Sequence, residues 1–240
     1  MEITWPPAYV IKKHQRARHV KLKASVHHGL EIIVPKRFNP KHIPDILETN
    51  KSWIEKQLAQ IHAVIAQCDP QALPHEISLT AMNQRWKVQY IKSQGHGSKI
   101  QLFSRAQQQE VALVGNIEDK ALCRKGLKHW VKKMAQAYLH SRLKTVSQTT
   151  QLDYQSLSVR SQRSRWGSCS TDKKINLNYK IIFLPENLAD HILIHELCHT
   201  VHMDHSAKFW RLVAAFDPNW KQHSRDTRRG EKFVPAWVEI

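Results

Sequence analysis

The stretch from Glu186 to His199, ENLADHILIHELCH, constrains this chain more than any other. Leu188, Ile192, Ile194, Leu197 and then Val201 are core-like at helical spacing, so the stretch predicts a helix opened by Pro185–Glu186 and packed into a core. Within it stand His195, Glu196 and His199, the HExxH pattern. Residues four apart lie one turn up the same helical face, so His195 and His199 can aim ring nitrogens at one zinc ion. Glu196 is rotated by about 100° from His195, which sets its carboxylate beside such an ion without capturing it.

Catalytic zinc takes three protein ligands and keeps a fourth position open, so the pattern needs a third donor. His205 is the candidate, because Val201–Asp204 is a short segment able to turn the chain back after the helix. His202 and Asp204 stand near it as alternatives. His191, one turn before His195, is a candidate extra ligand or hydrogen-bond partner of a ligand. Cys198 lies at a different helical angle and reads as a small buried hydrophobe. The distance from His195 to His205 equals that of the metzincin pattern HExxHxxGxxH, yet His202 stands where that pattern has Gly, and no Met follows His205. A metzincin is therefore not expected.

Upstream, Val20, Leu22 and Ala24 alternate with lysines, and Leu30–Val34 follows His28–Gly29, which predicts a hairpin with one basic face. Ile43 to Ala66 has helical periodicity and reads as one helix, or as two broken near Asn50. Ile77–Leu79, Trp86–Ile91, Lys99–Phe103 and Val111–Val114 read as short strands of a small antiparallel layer, with a turn at Ser93–Gly97. Ile117 to about Thr149 is a long amphipathic helix. Leu152–Ser161 and Lys174–Phe183 read as extended and bracket the polar loop Arg163–Ser170. The expected class is α+β, with a β-rich N-terminal part over residues 1–118 and a zincin-like core over 119–240 whose HExxH helix packs on a short sheet. The two form one continuous structural unit.

Charge and composition bound the function classes. The chain has 240 residues, 41% of them hydrophobic, and Lys plus Arg exceed Asp plus Glu by 37 to 20, a formal charge of +17. No apolar run approaches the roughly 20 residues that span a bilayer, so no membrane partner is expected. The N-terminus lacks the apolar run of a secretory signal, and the four cysteines are scattered, which together predict a cytoplasmic protein with reduced thiols. Arg16, Arg18, Lys21 and Lys23, with Arg124, Lys125, Lys128, Lys132 and Lys133, are a candidate phosphate-binding surface. No nucleic-acid fold motif accompanies them, so nucleic acid is the weaker expectation and a peptide or protein substrate the stronger one.

Arg165-Trp-Gly-Ser-Cys169, Ile175-Asn-Leu-Asn-Tyr-Lys180, Leu184–Pro185, and His195 through His205 to Trp210 resemble the YgjP-like metallopeptidase domain. The resemblance reaches back to Val20-Lys-Leu-Lys and Val34-Pro-Lys and so covers nearly the whole chain. It implies a zincin-type hydrolase, more loosely similar to SprT-like and WLM-type proteases, with Zn2+ on His195, His199 and His205 and Glu196 as base. The mechanism then expected is attack of metal-activated water on a peptide carbonyl. A vestigial or structural metal site in a nucleic-acid-associated protein, and hydrolysis of a non-peptide amide, are the alternatives. His223, Arg160 and Arg165 are candidate oxyanion donors, and Trp166–Ser168 is a candidate edge for an extended peptide. Cys169, Trp166 and Trp210 read as packing or pocket wall, and Asp217–Ile240 as a lid or a packed cover.

Overall fold

The computed structural model describes residues 5–15, 17–25, 29–67, 72–93, 99–162 and 165–239, the side chains of 60–67 excepted. His28, most of the Ser93–Gly97 turn, Arg163 and the side chains of Ile61, Val64 and Ile65 lie outside the described residues. The chain divides into two compact units, Met1–Ala72 with Glu239–Ile240, and Leu73–Val238.

In the first unit, β2 (Lys21–Ser25) pairs antiparallel with β3 (Gly29–Pro35), the expected hairpin, and Gly29 takes φ +60° at its start. Alternation then puts Leu30, Ile32 and Val34 on one buried face. They meet Ile43 and Leu47 of α1 (Ile43–Thr49) and Ile54 and Leu58 of α2 (Lys51–Gln67). Of the two readings, one helix or two, the structure has two, with the break at Asn50, whose side-chain amide donates to the carbonyl of Ile46 at 2.8 Å. A strand the periodicity did not show, β1 (Tyr9–His14), adds to β3 in parallel. All six of its residues are exposed, so no alternation marks it.

Among the described residues the second unit holds two sheets. One contains β4 (Glu76–Leu79), β5 (Gln84–Lys92), β6 (Ile100–Arg105) and β7 (Glu110–Gly115) in the order β4-β5-β7-β6. The expected antiparallel layer is corrected here: β7 inserts between β5 and β6 and runs parallel to β5. Val111 and Leu113 of β7 are fully buried while β6 is mostly exposed, so burial favours β7 at the centre and β6 at the edge. This sheet shares its core with α3 (Lys120–Thr150), where the Trp86 and Trp130 rings meet edge to face at 5.0 Å. Hence residues 76–115 group with the C-terminal part, and the boundary lies near residue 72 instead of 118. Asp119 caps α3 by accepting from the Leu122 amide at 2.9 Å, so the helix starts after Ile117.

The other sheet has the order β8-β10-β9, with β8 (Ser156–Arg160) parallel and β9 (Gly167–Cys169) antiparallel to β10 (Lys174–Asn178). The extended stretch expected to reach Phe183 ends at Asn178. There the side-chain oxygen of Asn178 accepts from the Lys180 amide at 3.2 Å and starts a 3-10 turn, Tyr179–Phe183, that buries Ile181, Ile182 and Phe183. The chain then enters α4 (Glu186–Cys198), α5 (Ala207–Phe216) and α6 (Trp220–Thr227). Arg142 of α3 clamps Asp190 of α4 with two hydrogen bonds, at 2.7 and 2.5 Å. The fold is α+β: the described strands all precede Tyr179, and helices follow Pro185. Among the described residues no helix is long and apolar enough to cross a membrane.

Candidate metal centre

α4 ends where the chemistry begins. His195 lies in its last turn and His199 at its C-cap. The amides of Thr200 and His202 then fold back onto the carbonyls of Leu197 and Cys198, at 2.9 and 3.0 Å. That tight reversal returns His205 to the helix just ahead of α5. The Nε2 atom of His195 lies 3.1 Å from that of His199 and 3.2 Å from that of His205. Two nitrogens bound about 2.0 Å from one tetrahedral zinc are about 3.3 Å apart, so the cluster has the spacing of a shared cation.

The orientation of each ring has a local cause. His199 Nδ1 donates to the carbonyl of His202 at 3.0 Å, which turns the Nε2 lone pair toward the cluster. Phe209 of α5, fully buried, stacks on His199 with centroids 4.4 Å apart and meets His205 edge-on at 4.9 Å. Burial, and then the neighbouring His199, His205 and His191, push His195 down to about 3. Burial also lowers His199, against the pull of the His202 carbonyl. Both are held as neutral imidazole, the form that binds metal.

Glu196 is 5% exposed, and its Oε2 is buried with no hydrogen-bond partner among the described residues. Burial pushes its carboxyl up to about 8, opposed by the positive charge of Arg165. Gly167 of β9 lies directly against it: a Cβ there would stand 2.5 Å from Glu196 Oε1. Glu196, His195 and His205 face an open cavity of about 420 Å³, walled by Trp166, Ile192 and Trp210 and by Ser224, Thr227 and Arg228. A buried carboxyl group with one oxygen unpartnered among the described residues, beside three converging imidazoles, fits a divalent cation and its water.

The structure thus brings together His195, Glu196, His199 and His205. His202 contributes its carbonyl instead of its ring, and Asp204 accepts from the Ser206 amide at 3.4 Å. Cys198 is fully buried, its thiol pushed up to about 12 by burial. The Cys169 thiol is raised to about 11 by burial and the nearby Glu196. His191 points to Asp217 instead of the three-His cluster. Of the oxyanion candidates, Arg165 acts on Glu196, His223 is bonded to Asp217 and Asn187, and Arg160 is not among the cavity-lining residues. The segment after Asp217 forms part of the cavity wall. Gly167, Asp217, Ser224 and Arg228 were not singled out from sequence. Only Gly167 carried a signal, as the small residue between Trp166 and Ser168.

The sequence profile described as YgjP-like, metallopeptidase domain, matches residues 18–229. No curated protein matches the chain. Among solved structures, a metallopeptidase zymogen, abylysin of Pyrococcus abyssi, is 23% identical over 38% of this chain and 92% of its own, with a TM-score of 0.35.

Proposed function

The chain belongs to the YgjP-like metallopeptidase family and is a metal-dependent peptidase, and from that premise we propose that His195, His199 and His205 hold zinc and that Glu196 is the general base. The convergence of three imidazole nitrogens at 3.1 and 3.2 Å beside a buried carboxyl group with one oxygen unpartnered among the described residues supports this reading above all else. Three imidazoles suit zinc among the divalent ions. Bound there, the ion supplies an acidified water and a polarised carbonyl.

Glu196 accepts a proton from water in the cavity and returns it to the leaving amine. The burial that raises its proton affinity favours the first transfer, and the positive charge of Arg165 opposes that rise in part. Gly167 lets the β9 backbone approach the carboxylate closely and holds it against α4. Trp166, Ile192 and Trp210 offer an apolar wall to a substrate side chain. β9 is an edge strand, paired with β10 on one side, so its other side suits an extended peptide added by main-chain hydrogen bonds. Protection from hydrogen exchange by a bound peptide is expected at the Gly167 amide, which in this register points away from β10, and unchanged exchange there removes that part of the proposal.

The test is Glu196→Gln. The amide cannot take the proton, so the variant is expected to keep zinc and lose peptide hydrolysis. Retained turnover at full zinc occupancy contradicts the role given to Glu196.

A further inference from the structure

One turn before His195, a second group of polar side chains runs inward from the same cavity. His191 Nδ1 lies 2.6 Å from Asp217 Oδ2, and His223 Nδ1 lies 3.0 Å from that same oxygen. The Asn219 amide donates to Asp217 Oδ1 at 3.1 Å, the Ser224 hydroxyl lies 3.0 Å from His191 Nε2, and Asn187 Nδ2 lies 3.2 Å from His223 Nε2. Two imidazoles and a carboxylate are also a possible ligand set. The spacing argues otherwise: 2.6 Å is an N–H···O⁻ hydrogen bond, well inside the roughly 3.3 Å between two ligands of a tetrahedral ion.

As hydrogen bonds, the contacts have a fixed direction. Asp217 is 6% exposed and its carboxylate can only accept, so both His191 and His223 carry their hydrogen on Nδ1. The Asn187 amide then donates to His223 Nε2, and His191 Nε2 is left as an acceptor, to which Ser224 donates. His191 is 3% exposed, yet it lines the cavity with Glu196 and His195, and its ring centroid is 6.2 Å from that of His195. The network therefore leaves His191 one acceptor nitrogen of fixed polarity, held by the Ser224 hydroxyl, and both residues line the cavity that Glu196 and His195 face.

Peptide hydrolysis has a use for it. The water that adds to the carbonyl brings two protons, and Glu196 takes one. The other remains as a hydroxyl on the tetrahedral carbon. When the C–N bond breaks, its electron pair stays on nitrogen, which receives the proton held by Glu196. The hydroxyl proton must leave for the acid to depart as carboxylate. We propose that His191 is a further catalytic residue, whose Nε2 accepts that hydroxyl proton in place of the Ser224 hydroxyl and then releases it to solvent. Asp217, clamped by His223 and the Asn219 amide, is the positioning residue that keeps Nε2 free of hydrogen. This inference rests on the peptidase reading above and adds to it a second acceptor.

Two measurements test it. In zinc-loaded His191→Gln, kcat is expected to fall by about 100-fold or more, the range of general acid–base catalysis, while KM, zinc content and Tm stay close to wild type. An unchanged kcat overturns the proposal. If Glu196→Gln is inert while His191→Gln turns over normally, the peptidase reading stands and this inference falls. The second measurement needs no turnover: 15N NMR of the wild-type imidazoles during titration with a peptidyl trifluoromethyl ketone, which hydrates to a gem-diol. The free protein is expected to show His191 with hydrogen on Nδ1 and a bare Nε2, and the Nε2 resonance is expected to move as the gem-diol donates to it. Hydrogen on Nε2 in the free protein, or an Nε2 resonance unmoved at saturation, overturns the proposal even for a variant series that folds poorly.

Discussion

Replacing Glu196 by Gln is expected to stabilise the metal-free protein while removing its activity, and the gain is expected to grow with pH. The carboxyl rises from an ordinary 4.5 to about 8 because burial penalises its charged form. The folded state therefore binds this proton more tightly than the unfolded chain, and between those two values wild-type stability falls as pH rises. At about 1.4 kcal/mol per tenfold change in proton affinity, this group disfavours the native state by on the order of 1 kcal/mol at pH 5 and 4 kcal/mol at pH 8. Below about pH 4 the carboxyl is protonated in both states and the difference vanishes. An amide left without a partner at the same place costs the same at every pH, so the slope carries the test. Urea unfolding of chelator-treated wild type and Glu196→Gln at pH 5 and pH 8, compared at equal m-value, measures it. A stability difference that does not change from pH 5 to pH 8 refutes the reasoning.

Gly167→Ala is expected to push the Glu196 carboxylate aside, since the new Cβ would fall 2.5 Å from Oε1 and 2.7 Å from Cγ; a stability loss of about 1–3 kcal/mol with zinc retained and kcat sharply reduced is the expected pattern, and full activity contradicts the positioning role of β9. His205→Ala is expected to weaken zinc by more than the roughly 10–100-fold that loss of a ligand's hydrogen-bond partner produces, whereas His202→Ala, which leaves the accepting carbonyl in place, keeps it; competition with a chromophoric chelator separates the two. Trp86→Ala removes a ring that is 2% exposed and packed against Trp130, and a loss of about 3–5 kcal/mol in chemical denaturation is expected.

The HExxH helix was legible in the sequence because its apolar residues at helical spacing and its two histidines at i and i+4 give the same local answer. His205 was within reach because only a short reversal separates it from His199. The four-stranded sheet was less legible. Alternation identifies β5, β6 and β7 as strands, but which of them takes the centre depends on burial against α3, a contact made across tens of residues. β1 escaped notice because both its faces are exposed and no period-two pattern results. Asp217 and His223 were invisible as partners of His191, since 26 residues separate Asp217 from it and nothing local in DPNW announces a buried carboxylate. Gly167 stood in a motif, but its close approach to Glu196 exists only once β9 lies along α4.

The central claim is a single divalent cation on three imidazoles. Elemental analysis of chelator-treated protein reloaded with zinc and freed of excess, for wild type and His195→Ala, tests it most directly. About one zinc per chain in wild type and almost none in folded His195→Ala is predicted. A folded wild type that takes up no zinc, or a His195→Ala variant that binds as much, contradicts it.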